Sequence, residues 1–217
     1  MDALYPVWNS LMDLKEVSRR YPQIEWYQSR WLLMHRLFVS FLIWVVSATF
    51  AFAAKLEISI KGEGANGIVV IDLFEDVAPL HVERIVELAS KGKYDGIAFH
   101  RVIEGFMAQT GDVQFGKVEG DFSMAGRGGS DMPDLPAEFS NIPFDRGIVG
   151  MARAQNPNSA NSQFFIMFKE GYFLNGQYTV VGKVVSGMDV IDDIKLGLGS
   201  NGSVLGSPDF MKQVRQK

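Results

Sequence analysis

Cysteine is missing from all 217 residues. Its absence excludes disulfides, thiolate nucleophiles and Cys-ligated zinc. Histidine is almost missing too. His35, His81 and His100 are the only three, and no H-x-x-x-H or H-E-x-x-H spacing occurs. Such a set gives no support to a metal centre built on imidazole. No block of lysine and arginine stands out, and the net charge is −4, so nucleic acid is not an expected partner. A serine hydrolase is unsupported, because no G-x-S-x-G turn is present to raise a nucleophile. Nothing in the chain calls for a cofactor. Its 16 phenylalanines and 22 glycines instead suggest many short strands joined by tight turns.

Long apolar runs are scarce as well, with one exception. Leu37 to Ala54, "LFVSFLIWVVSATFAFAA", carries no charge, follows His35-Arg36 and ends on the small-x-small pattern Ala51 to Ala53. A positive flank, an apolar region of about 14 residues and a small-residue exit match a signal peptide. The 33 residues ahead of Met34 do not fit that pattern. Translation from Met34, an uncleaved anchor with residues 1–33 on the cytoplasmic side, and a soluble extension are the three readings. Arg30 and Arg36 suit the second. The expected organisation is therefore an extension over 1–33, a signal peptide or membrane anchor over 34–53, and one domain over 54–217. It implies a periplasmic or secreted domain after cleavage near Ala53, or a membrane-anchored one on the exported side. Residues 37–54, if uncleaved, are the only expected contact with a membrane.

From Lys55 onward the pattern is regular. "KLEISIK" alternates apolar and polar, "GEGANG" is a turn, and "IVVIDLF" is a second strand, which together read as a hairpin. In "APLHVERIVELASKG", Val82, Ile85, Val86 and Ala89 recur at helical spacing, with Pro79 at the start and Gly92 at the stop. Strand-like runs follow at "IAFHRVI", "GFMAQTGD", "GIVGMARA", "QFFIMF", "YTVVGKVV" and "FMKQVRQ". "GMDVIDDIK" fits a second short helix, and "GLGSNGSVLGSP" reads as a flexible surface loop. Two helices against about eight consecutive strands predict a mainly β domain, a closed or sandwich-like antiparallel sheet.

One segment resists a purely structural account. "FHRVIEGFMAQTGD", Phe99 to Asp112, is apolar apart from Arg101, Gln109 and a few neighbours. Burying a guanidinium and an amide is costly unless both are hydrogen-bonded. The alternative is that they face a cleft. From the residues alone Phe106, Met107 and Phe165 read as core, and His100 as a satisfied polar residue behind the site.

Three blocks, "FHRVIEGFMAQTGD", "GIVGMARAQNPNSANSQFFIMF" and "FLNGQYTVVGKVVSGMDVID", resemble the cyclophilin-type peptidyl-prolyl cis/trans isomerases in order and approximate spacing. The resemblance spans about residues 56 to 215 and is similar to bacterial, exported members. It implies a closed eight-stranded antiparallel barrel capped by two α-helices, here preceded by the apolar signal or anchor helix. It also implies that Arg101 is the catalytic arginine and that Gln109 holds the substrate backbone. Phe106, Met107, Phe165 and Leu174 would form the proline pocket, with Gln163, Phe173 and Tyr178 as further wall positions. Ala152 and Arg153 would pair with an extended substrate through the main chain. The best-known eukaryotic members carry tryptophan where this chain has Phe173 and histidine where it has Tyr178, and Glu104 replaces a proline common in the family turn.

The chemistry asks for such a set. An X-Pro bond isomerises over a barrier near 20 kcal/mol because rotation breaks amide resonance. An arginine beside the prolyl nitrogen can donate to its lone pair only once conjugation is lost, a preference for the transition state. The expected function is isomerisation of X-Pro bonds in exported proteins, assisting their folding, with proline-containing segments of unfolded chains as partners and no cofactor or metal. The domain is expected to be a monomer. The alternative is a chaperone or adaptor that binds proline segments with little turnover.

Overall fold

The computed structural model describes residues 54–217. The expected extension over 1–33 and signal or anchor segment over 34–53 lie outside the described residues. Among the described residues no helix is long and apolar enough to cross a membrane.

The domain begins with the expected hairpin. β1 (Lys55–Lys61) and β2 (Gly67–Leu73) are antiparallel, with Ile58 opposite Val69. Alternation decides the buried face: Leu56, Ile58 and Ile60 point inward, as do Val69, Ile71 and Leu73. The turn between them is tied down from far away, because Asp209 accepts from the backbone N–H of Gly64 and Ala65 at 2.9 and 3.1 Å. Helix α1 (Pro79–Ser90) follows, packed against the last strand with Val82, Ile85, Leu88 and Ala89 buried. Its start has no side-chain cap of its own. Glu138 supplies one, accepting from Leu80 N–H, His81 N–H and, at 2.6 Å, from His81 Nδ1.

The remaining elements are β3 (Ile97–Ala98), β4 (Arg101–Ile103), β5 (Met107–Thr110), β6 (Ile148–Met151), β7 (Phe164–Met167), β8 (Val180–Ser186), the short helix α2 (Met188–Asp192) and β9 (Phe210–Gln216), with single 3-10 turns at Phe122–Met124 and Tyr172–Leu174. They form one antiparallel sheet in the order β3-β9-β1-β2-β8-β6-β7-β5-β4. The expected eight strands are nine, and the expected closed ladder is open at one place. "IAFHRVI" is two strands, not one: Ala98 pairs with Phe210 of β9, whereas Arg101 pairs with Gln109 of β5. A single straight strand cannot serve both neighbours, so the chain bends at Phe99-His100. Covalent chain, and no hydrogen-bonded ladder, joins the two ends of the sheet.

The loop read after Leu196 is at the surface, with Leu198 and Leu205 exposed, but it is not detached. The segment around "GLGSNGSVLGSP" is docked along β4, with Val102 N–H donating to Gly202 O at 2.7 Å and Gly197 N–H to Val102 O at 2.9 Å. Val204 is buried in the core.

Two apolar clusters fill the sheet. The larger lies among β1, β2, α1 and β9. The smaller gathers Met107, Phe144, Ile148, Phe165, Met167, Leu174 and Val180, with Phe106, Ala152 and Tyr178 packed against it. The expected pocket residues belong to that second cluster.

Candidate active site

Register brings the polar pair together. Arg101 on β4 lies directly opposite Gln109 on β5, Gln109 opposite Phe165 on β7, and Phe165 opposite Gly150 on β6. The four side-by-side positions run across one face of the sheet. Gly150 has a packing reason: a Cβ there would come 2.5 Å from Phe165 and 2.6 Å from Phe144. Its absence lets the two phenyl rings stack with centroids 5.7 Å apart.

Above this row is a hollow of about 270 Å³ lined by Arg101, Phe106, Met107, Gln109, Ala152, Arg153, Phe165, Phe173, Leu174 and Tyr178. These are the residues singled out in the sequence, apart from Gln163. That glutamine lines a wider, adjoining hollow of about 510 Å³, to which Gln109, Ala152 and Arg153 also contribute. Met107, Phe165 and Leu174 are buried, while Phe173 is 67 % exposed and leans on Phe106 at 5.5 Å, so it forms a rim. Tyr178 stands edge-on to Phe165 at 5.9 Å. The Arg153 guanidinium lies over the Tyr178 ring at 4.4 Å and is spread over the carbonyls of Ala154, Gln155 and Gln177.

Arg101 is half-buried and gripped on two sides. Its Nη1 donates to Gln109 Oε1 at 3.1 Å and lies 3.9 Å from Met107 Sδ, and its Nε donates to the main-chain carbonyl of Asn201 at 3.0 Å. Nη2 has no hydrogen-bond partner among the described residues. Burial lowers the arginine's pKa, opposed by the nearby Tyr178, but a guanidinium remains a cation in a protein. Gln109 in turn donates to Gln163 Oε1 at 2.9 Å, and Gln163 Nε2 donates to Gly128 O at 2.8 Å. The chain of amides fixes which end of each carries oxygen.

The expected strand through Ala152 and Arg153 is shorter than read: β6 ends at Met151. Ala152 N–H donates to Gln163 O at 2.9 Å, which leaves the Ala152 carbonyl and the Arg153 N–H without partners among the described residues. His100 is buried at 6 % exposure, yet neither ring nitrogen has a hydrogen-bond partner. It is thus behind the site as expected, but not satisfied. Its burial lowers its pKa, with Asp112 opposing. Among the described residues no group of three or more histidines and carboxylates is placed to hold a metal.

Three site features had no signal in the sequence pattern. The Asn201 carbonyl is main chain and invisible to side-chain reasoning. Gln163 carries the amide relay as well as forming wall. Asp112, fully buried, accepts from the N–H groups of Gln114, Phe115, Gly126 and Gly128 and so holds the glycine-rich rim of the wider hollow.

An arginine is thus fixed at the mouth of an apolar slot and braced by a glutamine. Residues 55–215 match the family described as cyclophilin type peptidyl-prolyl cis-trans isomerase/CLD. The chain belongs to that family. A probable peptidyl-prolyl cis-trans isomerase of Brucella suis is 62 % identical over 146 residues, covering 66 % of this chain and 74 % of the relative. The isomerase CYP18-1 of Arabidopsis thaliana is 37 % identical over 126 residues, covering 58 % and 75 %. Among solved structures, a Cryptosporidium parvum cyclophilin-type isomerase crystallised in the presence of the dipeptide ala-pro superposes with a TM-score of 0.62. It is 25 % identical, and the match covers 74 % of this chain and 97 % of that one. A Hirschia baltica cyclophilin has the same fold, with a TM-score of 0.59 at 24 % identity over 74 % and 72 % of the two chains. This cyclophilin is therefore an enzyme of the peptidyl-prolyl cis-trans isomerase family.

Proposed function

We propose that this cyclophilin isomerises X-Pro bonds by seating the proline ring in the 270 Å³ hollow and donating from Arg101 to the prolyl nitrogen as it becomes pyramidal. The observation that carries the reading is the free Nη2 of a guanidinium whose other groups are already held, at the mouth of a slot walled by Phe106, Met107, Phe165 and Leu174. Gln109 orients the guanidinium through Oε1. The open carbonyl of Ala152 and N–H of Arg153 grip the peptide on either side of the proline in an extended form. The donated hydrogen bond has no acceptor while the amide is conjugated and gains one at the top of the barrier, so it lowers the barrier without tightening ground-state binding. A charged hydrogen bond contributes about 1.5–3 kcal/mol, which is roughly ten- to 150-fold in rate. The dry apolar walls supply the remainder.

The experiment compares the full chain with Arg101→Ala for cis-to-trans conversion of a short X-Pro peptide and for affinity towards it. Turnover falling at least tenfold with affinity within about twofold supports the assignment. Full activity in the variant would sink it.

The clients we propose are exported proteins, whose X-Pro bonds isomerise in tens of seconds unaided. The charge-free run Leu37 to Ala54 supports that compartment. Sequencing the amino terminus of the protein recovered from cells tests it. A terminus near Ala54, or a chain held in the membrane fraction, agrees with export, whereas a soluble cytoplasmic chain retaining residues 37–54 does not.

A further inference from the structure

β4 has a neighbour on each side. On one side is β5, which carries Gln109. On the other is the turn formed by residues 197–204, held by two main-chain hydrogen bonds to β4, Val102 N–H to Gly202 O at 2.7 Å and Gly197 N–H to Val102 O at 2.9 Å, and by a third to the residue before it, Val204 N–H to His100 O at 3.0 Å. The turn is also closed upon itself, by Leu198 N–H to Ser203 O, Gly202 N–H to Gly199 O and Asn201 Nδ2 to Ser203 Oγ. It sits beside β4 as an added piece of strand, bridged to it at Arg101 and Ser203.

We infer that this turn is a positioning element for Arg101, and that Gly202 sets its distance from β4. The inference rests on Arg101 being the catalytic donor. Two contacts on different edges define the plane of a guanidinium, and here one is the Gln109 amide and the other is the Asn201 carbonyl on Nε. Without the second, rotation about the arginine's long stem swings Nη2 out of the slot. The carbonyl reaches Nε only because the turn lies close, and it lies close only because residue 202 is glycine. Gly202 has φ +68°, and a Cβ there would come 2.4 Å from Ile103 Cγ1 and 2.8 Å from Val102 O. Any side chain pushes the turn away from β4 and takes the Asn201 carbonyl with it. Misplacing a group that acts at one atom costs turnover far more than binding.

The test is a double-mutant cycle on the full chain, with Gly202→Ala made alone and in the Arg101→Ala background. Gly206→Ala serves as the strain control, since Gly206 has φ +79° but nothing within 4 Å. Alone, Gly202→Ala should lower kcat on the order of tenfold with KM within about twofold, while Gly206→Ala leaves both unchanged. In the Arg101→Ala background Gly202→Ala should cost less than about twofold, because the group it positions is gone. An equal loss in both backgrounds would overturn the inference and leave the role of Arg101 standing. Full activity in Arg101→Ala alone would overturn the catalytic reading, and this one with it. Should Gly202→Ala fail to fold, hydrogen exchange at the Nε–H of Arg101, read by ¹⁵N NMR in the unmutated chain, decides. Protection above that of Arg127, exposed in a loop, supports the carbonyl contact, and exchange as fast as at Arg127 refutes it.

Discussion

Two hollows adjoin at Gln109, Ala152 and Arg153, and they are built in opposite ways. The smaller is walled by side chains that also fill the second apolar cluster, so its shape is a by-product of packing. The wider is walled largely by loop backbone: Gly126, Gly128, Gly129 and Ser130 on one side, and Ala154, Ser159 and Asn161 on the other. Two side chains hold that rim. Asp112 accepts four backbone N–H groups, and Asn161 ties Ser130 to Met132 and Asp134. One hollow is kept open by the rigidity of close-packed rings. The other is kept open by hydrogen bonds that converge on single residues. The slot should thus fail through cavities and the wider hollow through loss of an anchor.

The strongest way to break the distinction is Phe165→Ala. The ring is buried, stacked on Phe144 and edge-on to Tyr178, and its loss should cost about 3–5 kcal/mol of stability. Urea unfolding of the full chain measures it, and a loss near that of a surface change would mean the slot wall is not core. Asp112→Ala strikes the other hollow. It leaves half-buried donors unpaired, at about 1–3 kcal/mol, and should speed amide exchange at Gly126 and Gly128 while Phe165 and its neighbours stay protected. Loosening of both regions together would erase the contrast. The smallest effect is acid sensitivity centred on His100, which touches the underside of Gly126. Burial lowers its pKa from 6.5, so the folded state binds fewer protons than the unfolded one below that value. Its contribution is fully present above about pH 6.5 and is lost as pH falls through the lower, folded value. His100→Gln should flatten that part of the stability profile; an unchanged slope would assign it to another group.

Much of this architecture was legible because it rests on local rules. Alternation in "KLEISIK" marked β1, "FMKQVRQ" fitted a closing strand, and Pro79 and Gly92 marked both ends of α1. The residues of the slot were legible through family resemblance, and the reading of Phe106, Met107 and Phe165 as core was not an error so much as half the account. They are core and wall at once. What escaped notice depends on partners far apart in the chain. Glu138 caps a helix that begins at Pro79, and Asp209 pins a turn at Gly64. The bend at Phe99-His100 follows from which strands lie on either side, not from a breaker residue. The segment after Leu196 looked like a free loop because its glycines and serines are turn formers; its close approach to β4 is a tertiary fact with no local mark.

The sheet's order has a consequence for how the domain comes into being. β1, the first strand synthesised, is completed on one side by β2 at once, but on the other by β9, at the far end of the domain. Until β9 exists, β1 is an unclaimed edge and the larger apolar cluster lacks Met211 and Val214. Contacts this distant in sequence make folding slow, and they place closure of the core late, after nearly every other element has been made. This isomerase is, by its own topology, a protein that must wait for its last strand.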